Sequence, residues 1–457
     1  MTPGPRARRT AALAVALCAL LLGIAPAAAE TAALVERPTP ADEVLRAIED
    51  PALRALVHEV LDRNPTVSSV AARARAARQQ APQAKALPDP VAGVTAYAPT
   101  PETRVGPQRL MGSLSQRFPW FGKRGLREQA ALRLADAFDA EVEAGRLELV
   151  TQTRRIAWEI AFLDAHRGVV EMDRETLIRF EELARSRYSA GSGIQQDVVR
   201  IQAEITKDDN RLLEIAVRRV QLVAELNALR DRPAATTVPD LVLPRRPRRS
   251  PPELLPLRAS ALAARPELAR ADAEIARADR MVDIARKDYK PDFTLGAAYT
   301  AVGRRDDLAG MVPPMDDGQD VFGISLSLNL PVQRARLRAG VEEAAELRVA
   351  AEERKRDVMA GIDRALGDLV ERLRLTAEQV ELFVRVLVVQ AEQSLHSAEA
   401  GYAAGSLSSL DLLDAERVLL DVRTATERAR ADNAIALARL EGAVGGPLDA
   451  GTEGAEP

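Results

Sequence analysis

Cysteine is almost missing from this chain: Cys18 is the only one in 457 residues. One thiol cannot build a disulfide framework within a chain, and it cannot build a thiolate metal site. Histidine is nearly as scarce. His58, His166 and His396 lie far apart in helix-like sequence, so no imidazole pair offers a metal a home. Aromatic residues make up 3%, and the dominance of Ala, Leu, Arg and Glu points to long helices rather than a compact mixed core. After Glu30 no apolar run approaches the ~18 residues that a membrane-spanning helix needs. No glycine-rich loop follows a strand pattern, so no nucleotide cradle is expected. No nucleophile, base and acid converge, and neither catalytic residues nor a cofactor are expected. These absences argue against an enzyme, a metal carrier and an inner-membrane pump.

What is present begins with a basic, then apolar segment. Arg6, Arg8 and Arg9 precede an apolar run, and Ala27, Ala28 and Ala29 offer a small-residue cleavage site. Residues 1–29 therefore read as a secretory signal peptide, since the run is short for a membrane anchor. Cleavage removes three arginines and no acid, moving the net charge from −4 to −7. It also removes Cys18.

The remainder uses one unit twice. "RYSAGSGIQQDVV" starts at Arg187 and "GYAAGSLSSLDLL" at Gly401, 214 residues later. Asn64-Pro65 matches Arg265-Pro266, Pro88-Asp89 matches Pro291-Asp292, Pro119 matches Pro331, and Pro233 matches Pro447. Such self-similarity marks a duplication. The first copy spans 30–231 and the second 257–447. A Pro-rich linker covers 232–256, and 448–457 reads as a disordered tail. Four arginines in the linker suit a solvated connection better than a nucleic-acid site in an exported chain.

Each copy carries two strand patterns in its middle, at about 91–98 and 109–119, then 292–300 and 321–331. In the last, Phe322, Ile324, Leu326, Leu328 and Leu330 alternate with Gly323, Ser325, Ser327 and Asn329. Strands of ~9–11 residues with one apolar and one small polar face suit a bilayer-crossing sheet. The same alternation also permits a small soluble sheet. Four strands cannot close a barrel, and open edges are forbidden in lipid, so insertion would need other copies of the chain.

Long helical sequence follows each strand pair. From Lys123 to Tyr188, and from Ala335 to Tyr402, there is no proline. Either stretch would measure about 100 Å as one helix. Val142, Leu149, Ile156, Leu163, Val170, Leu177 and Ala184 keep a seven-residue spacing, a coiled-coil seam. Hairpins are thus expected over about 123–230 with a tip at 188–197, and over about 335–444 with a tip at 402–411. The return helices are shorter than their partners. Residues 65–87 and 266–290 would complete them by stacking end to end.

These features together resemble the TolC family of outer-membrane efflux proteins. The resemblance rests on the duplication, the helix–strand–strand–helix order, "LPDP" and "YKPD" before the first strands, and the twin "YxAGSxxxxD" turns. "RFPWFGKRGLR", Arg117 to Arg127, is similar to the junction of the heavy-metal subgroup. The resemblance implies a mainly α fold with a small β part. Each chain would give four strands to a trimeric twelve-stranded outer-membrane β-barrel and its helices to a long coiled-coil barrel in the periplasm. It implies a homotrimer set in outer-membrane lipid, a passive exit duct joined to an inner-membrane pump through a periplasmic adaptor. The linker and residues 34–63 would form an equatorial belt. An outer-membrane channel for type I protein secretion, a periplasmic adaptor and a soluble coiled-coil scaffold are the competing readings. Two equal units with two strands each argue against the adaptor.

The family places its gate at the tips. Tyr402, Asp411 and Asp414 match that pattern, and Asp197 is the first copy's counterpart of Asp411. The family's gating arginine has no match, because Leu407 stands there. Ala190-Gly191-Ser192 and Ala404-Gly405-Ser406 occupy the adaptor-docking turns. Gly191 and Gly405 permit the positive φ of a helix reversal. The aspartates equally suit caps of the return helices. Trp120 and Phe121 fall where strand meets helix, as interfacial anchors or as junction packing.

Overall fold

The computed structural model describes residues 39–247, 253–305, 312 and 314–448; the expected signal peptide and nearly all of the tail lie outside them. Leu448, expected to begin that tail, is instead buried against the second copy's core. Fifteen described helices and strands matter for function. The belt region gives α1 (Pro40–Ala47) and α2 (Pro51–Arg63). The first copy continues with α3 (Pro65–Arg78), α4 (Gln80–Lys85), β1 (Val91–Ala96), β2 (Gln108–Phe118), α5 (Lys123–Ser189) and α6 (Gln195–Leu229). The second gives α7 (Leu254–Ala264), α8 (Pro266–Lys287), β3 (Phe293–Val302), β4 (Val321–Leu328), α9 (Arg334–Leu382), α10 (Val388–Ala404) and α11 (Ser409–Val444).

Two expected helices are interrupted. The stretch from 65 to 87 breaks at Gln79, because Pro82 lacks an N–H and its ring crowds the carbonyl of Arg78. The stretch from 335 to 402 contains a π-helical turn at Phe383–Leu387 that separates α9 from α10. That turn lies in the β-branched run "VELFVRVLVV", where α-helical propensity is weakest. By contrast α5 runs unbroken for 67 residues, about 100 Å. Its seven-residue seam is the buried one: Leu149, Ile156, Leu163, Val170, Leu177 and Ala184 all lie in the core.

The short helices do stack end to end. Asn64 caps α3, its Oδ1 accepting from Thr66 N at 2.9 Å, while its Nδ2 donates to Leu229 O at 3.1 Å, at the end of α6. In the second copy Arg265 performs the same join, donating to Gly442 O at 2.8 Å near the end of α11. Four helical columns result: α3–α4 with α6, then α5, then α8 with α11, then α9–α10. Arg154 and Glu441 brace the middle, buried and 2.6 Å apart. Belt residues Ala41, Val44, Leu53, Val57, Leu241 and Leu243 pack onto the waist of this array.

The strands form one antiparallel sheet in the order β1-β2-β3-β4, so both copies share it. β4 ends at Leu328 because Leu328 pairs with Phe293, the first residue of β3, and the partner strand extends no further. Among the described residues, no helix is long and apolar enough to cross a membrane.

Candidate functional site: strand belt and helical tips

The register sorts the sheet into two faces. Phe322, Ile324, Leu326 and Leu328 stand opposite Tyr299, Ala297, Leu295 and Phe293. Leu114 and Phe118 continue that apolar row on β2, and Val94 on β1. On the other face lie Gly323, Ala298, Ser113 and Gly93, then Ser325, Gly296 and Ser115, then Ser327, Thr294 and Arg117. The apolar face is bare: Ile324 is 73% exposed. An uncovered apolar belt of this kind on a folded chain marks contact with lipid or protein. β1 and β4 are both edge strands with unpaired backbone groups.

At the helix-side end of the belt, aromatic side chains cluster. Phe118 stacks on Phe293 at 5.4 Å, and Phe121 lies 6.0 Å from Phe293 and 5.8 Å from Trp120. Phe121 is 72% exposed. Behind the aromatics, Asp292 gathers the junction. It accepts from Arg117 Nη2 at 2.7 Å, Trp120 N at 2.9 Å and the buried Lys123 Nζ at 3.0 Å. Lys123 also pairs with Asp288 at 3.2 Å. Much of "RFPWFGKRGLR" is thereby explained as architecture, joining the first copy's strand end to the second copy's.

The two tips repeat one turn. Gly191 and Gly405 have φ of +72° and +79°. Ser192 N donates to Arg187 O and Ser406 N to Gly401 O, each at 2.9 Å, while the glycine N–H groups reach Tyr188 O and Tyr402 O, each at 3.0 Å. That is a Schellman closure. The serine hydroxyls repeat it, Ser192 Oγ on Arg187 O at 3.1 Å and Ser406 Oγ on Gly401 O at 3.0 Å. Ala190, Gly191, Ser192, Ala404, Gly405 and Ser406 are all exposed.

The expected gate residues divide between two settings. Asp411 is exposed and closes a capping box with Ser408: its Oδ2 accepts from Ser408 N at 3.0 Å and from Ser408 Oγ at 2.7 Å. Those hydroxyl and amide bonds lower its pKa. Asp414 is exposed one turn on. Asp197 instead bridges the tips, accepting from Ser409 Oγ at 2.6 Å. Tyr402 is 1% exposed, buried between the hairpins with Leu412, Leu413 and Ile201, whereas its counterpart Tyr188 is 49% exposed.

Leu407 stands at the second tip, but an arginine from the other copy reaches Tyr402. Arg187 lies 4.6 Å from the Tyr402 ring centroid, and its Nη1 donates to Tyr402 O. The second tip's own sequence holds no sign of it, because Arg187 lies in the first copy. The signal was in the repeat itself, where Arg187 aligns with Gly401. Also missed was a buried trio of acids above the tips, Asp173, Asp208 and Glu416. Among the described residues no group of three or more potential ligands is placed to hold a metal ion.

Known proteins share this arrangement. The chain is 25% identical to the pyoverdine export outer membrane protein OpmQ of Pseudomonas putida, over 93% of each. It superimposes on the outer membrane protein VceC of Vibrio cholerae with a TM-score of 0.71 at 23% identity, covering 90% of this chain and 100% of that one. A membrane protein from Pseudomonas aeruginosa gives 0.74 at 19% identity, covering 92% and 98%. The family profile described as outer membrane efflux protein matches residues 56–230 and 257–446, one match for each copy of the repeat. With most of both copies matched and the sheet and long helices in place, the chain belongs to the outer membrane efflux protein family, the channel components of bacterial efflux and secretion systems.

Proposed function

We propose that three copies of this chain form a passive duct through the outer membrane and periplasm. The carrying observation is the open four-stranded sheet with a bare apolar face and two unpaired edges. Lipid tolerates no open edge. Pairing β4 of one copy with β1 of the next removes the edges, and three copies pool twelve strands into one barrel with the Gly, Ser and Thr face inward. The helices support the same closure. Leu213, Val217 and Val220 form an exposed stripe on α6, and Leu375, Leu382, Val386 and Val389 form another through the π turn into α10. These are the outer columns of the array, so each stripe would meet the other on a neighbouring copy.

In this reading Trp120 and Phe121 anchor the barrel at the membrane surface, and the small polar wall passes cargo without holding it. Asp411 and Asp414 ring the periplasmic mouth as the acidic gate. Asp197, Tyr402 and Arg187 fasten the two hairpins of each copy beneath it. The exposed turns at Ala190–Ser192 and Ala404–Ser406 receive a periplasmic adaptor, through which an inner-membrane pump delivers cargo. The test is native mass measurement of detergent-extracted full-length protein. A trimer is expected, and a stable soluble monomer would overturn the duct.

A further inference from the structure

Charged contacts between the long helices are matched almost everywhere. Arg219 pairs with Asp164 at 2.7 Å, Arg174 with Asp209 at 2.7 Å and Arg428 with Glu159 at 2.8 Å. A cluster of acids departs from this. Asp173 of α5, Asp208 of α6 and Glu416 of α11 come together, each more than nine-tenths buried. Arg211 is the cation that reaches them, donating to Asp208 Oδ1 at 2.7 Å. Asp173 Oδ2, Asp208 Oδ2 and Glu416 Oε1 find no donor. Yet Asp173 lies within hydrogen-bonding reach of both Asp208 and Glu416. Two carboxyl groups can bond each other only when a proton sits between them.

The surroundings do not supply the missing positive charge. Glu204 of α6 adds negative charge near Glu416, and its own partners, Lys207 at 2.8 Å and Arg417 at 3.1 Å, are engaged with it. His166 of α5 faces Arg211, and burial first, then that guanidinium, hold its pKa down. Burial, reinforced by Glu416, pushes Asp173 up to about 8. Burial, reinforced by Asp173, pushes Asp208 up to about 6, and burial raises Glu416 as well. The three titrate as a set.

Position gives this set a consequence. Asp173 and Asp208 belong to the first hairpin and Glu416 to the second. Leu177 lies one turn from Asp173, and Leu412 and Leu413 one turn from Glu416; all three belong to the core that holds the tips together. We infer that Asp173, Asp208 and Glu416 form a proton-held clasp: shared protons keep α11 against α5 and α6, and losing them releases one tip from the other. This rests on the reading of the tips as the duct's gate.

The direction follows from linkage. Separated and hydrated, the carboxyls return to ordinary values near 4, so the closed state binds more protons than the released one. Closure is therefore fully supported in acid and weakens as pH rises from about 4 towards about 8. The clasp opens on the alkaline side.

The test uses full-length protein in nanodiscs with spin labels at Ser192→Cys and Ser406→Cys. Pulsed dipolar distances are recorded from about pH 5.5 to about pH 8.5, a range bracketing the two carboxyl values above. The separated population should grow several-fold with pH in the labelled parent. Asp173→Asn and Glu416→Gln, which mimic the protonated groups, should abolish that growth, while the exposed Asp209→Asn should keep it. A parent distribution that ignores pH, or variants that respond like the parent, overturns the clasp. Should a variant fail to fold, infrared difference spectra of the parent decide. A protonated carboxyl band that fades between about pH 6 and 9 supports the clasp, and absence of such a band overturns it. Native mass on the same samples separates the two readings. A trimer with unresponsive tips removes the clasp alone, and a monomer with responsive tips removes the duct alone.

Discussion

Arg187 and Gly401 occupy one position of the repeat, and across the turn Gly193 and Leu407 occupy another. The pairs are reciprocal in size. At the first tip a Cβ on Gly193 would sit 3.1 Å from the Cβ of Arg187; at the second a Cβ on Gly401 would meet Leu407 Cδ1 at 2.6 Å. Each turn tolerates one bulky side chain, and the copies place it on opposite sides. The first tip thereby gains a guanidinium that reaches Tyr402 of the second. Arg187→Ala removes that ring contact and a bond to a carbonyl, together worth roughly 2 kcal/mol at a half-buried site. The expected result is a higher open probability in planar-bilayer recordings with unchanged helix content; unchanged gating would reduce Arg187 to packing. The aspartates need a finer change, because Asp411 is the N3 partner in the Ser408 capping box as well as a charge. An Asn there keeps an amide oxygen that can accept from Ser408 N. Asp411→Asn with Asp414→Asn should therefore weaken block by polyvalent cations while leaving thermal stability within about 0.5 kcal/mol. Block that persists undiminished would take both residues out of the gate.

Helices and strands show where sequence reading succeeds. The 67 residues of α5 were legible because no proline interrupts them and because the buried seam repeats every seven positions. The strands were legible from alternation, whereas the single sheet that joins both copies emerges only in the fold. Pro82 was visible and overlooked; its effect is local, so attention to one residue would have found the break. The π turn was harder, since its Val-rich run also suits an ordinary helix in a packed setting. The carboxyl trio was out of reach. Its members lie on three helices, at positions 173, 208 and 416, and only tertiary register brings them together. The tip glycines were legible for a physical reason that a paired substitution can check. Gly405 holds φ +79°, whereas Gly340 lies inside α9 with open space where a Cβ would go. Gly405→Ala should cost about 1 kcal/mol, and Gly340→Ala should gain up to about 1 kcal/mol, in denaturation of the solubilised protein. Equal effects of the two would contradict the left-handed turn.

At the scale of the whole molecule, the described helices and strands are left open at their flanks. The four columns end in α6 on one side and α9–α10 on the other, and the sheet ends in β1 and β4. Both layers are therefore incomplete at the same two flanks. Leu375 and Leu382 are seven apart, Val386 follows four later and Val389 three later, all exposed, so one stripe continues from α9 across the π turn into α10. Closure of the helices and closure of the strands then become one event. Strand edges cannot enter lipid until neighbours cover them, so helix pairing must precede or accompany insertion. That coupling makes a specific forecast. Val217→Glu combined with Leu382→Glu would bury charges in the proposed interface between copies, a penalty of several kcal/mol per unpaired charge. Each substituted residue faces away from the core of its own copy, so the isolated chain should keep its helix content by circular dichroism. The trimer should be lost in native mass, and the protein should leave the outer-membrane fraction even though no strand residue has changed. Retention of a membrane-embedded trimer would show that the strands assemble without the helices.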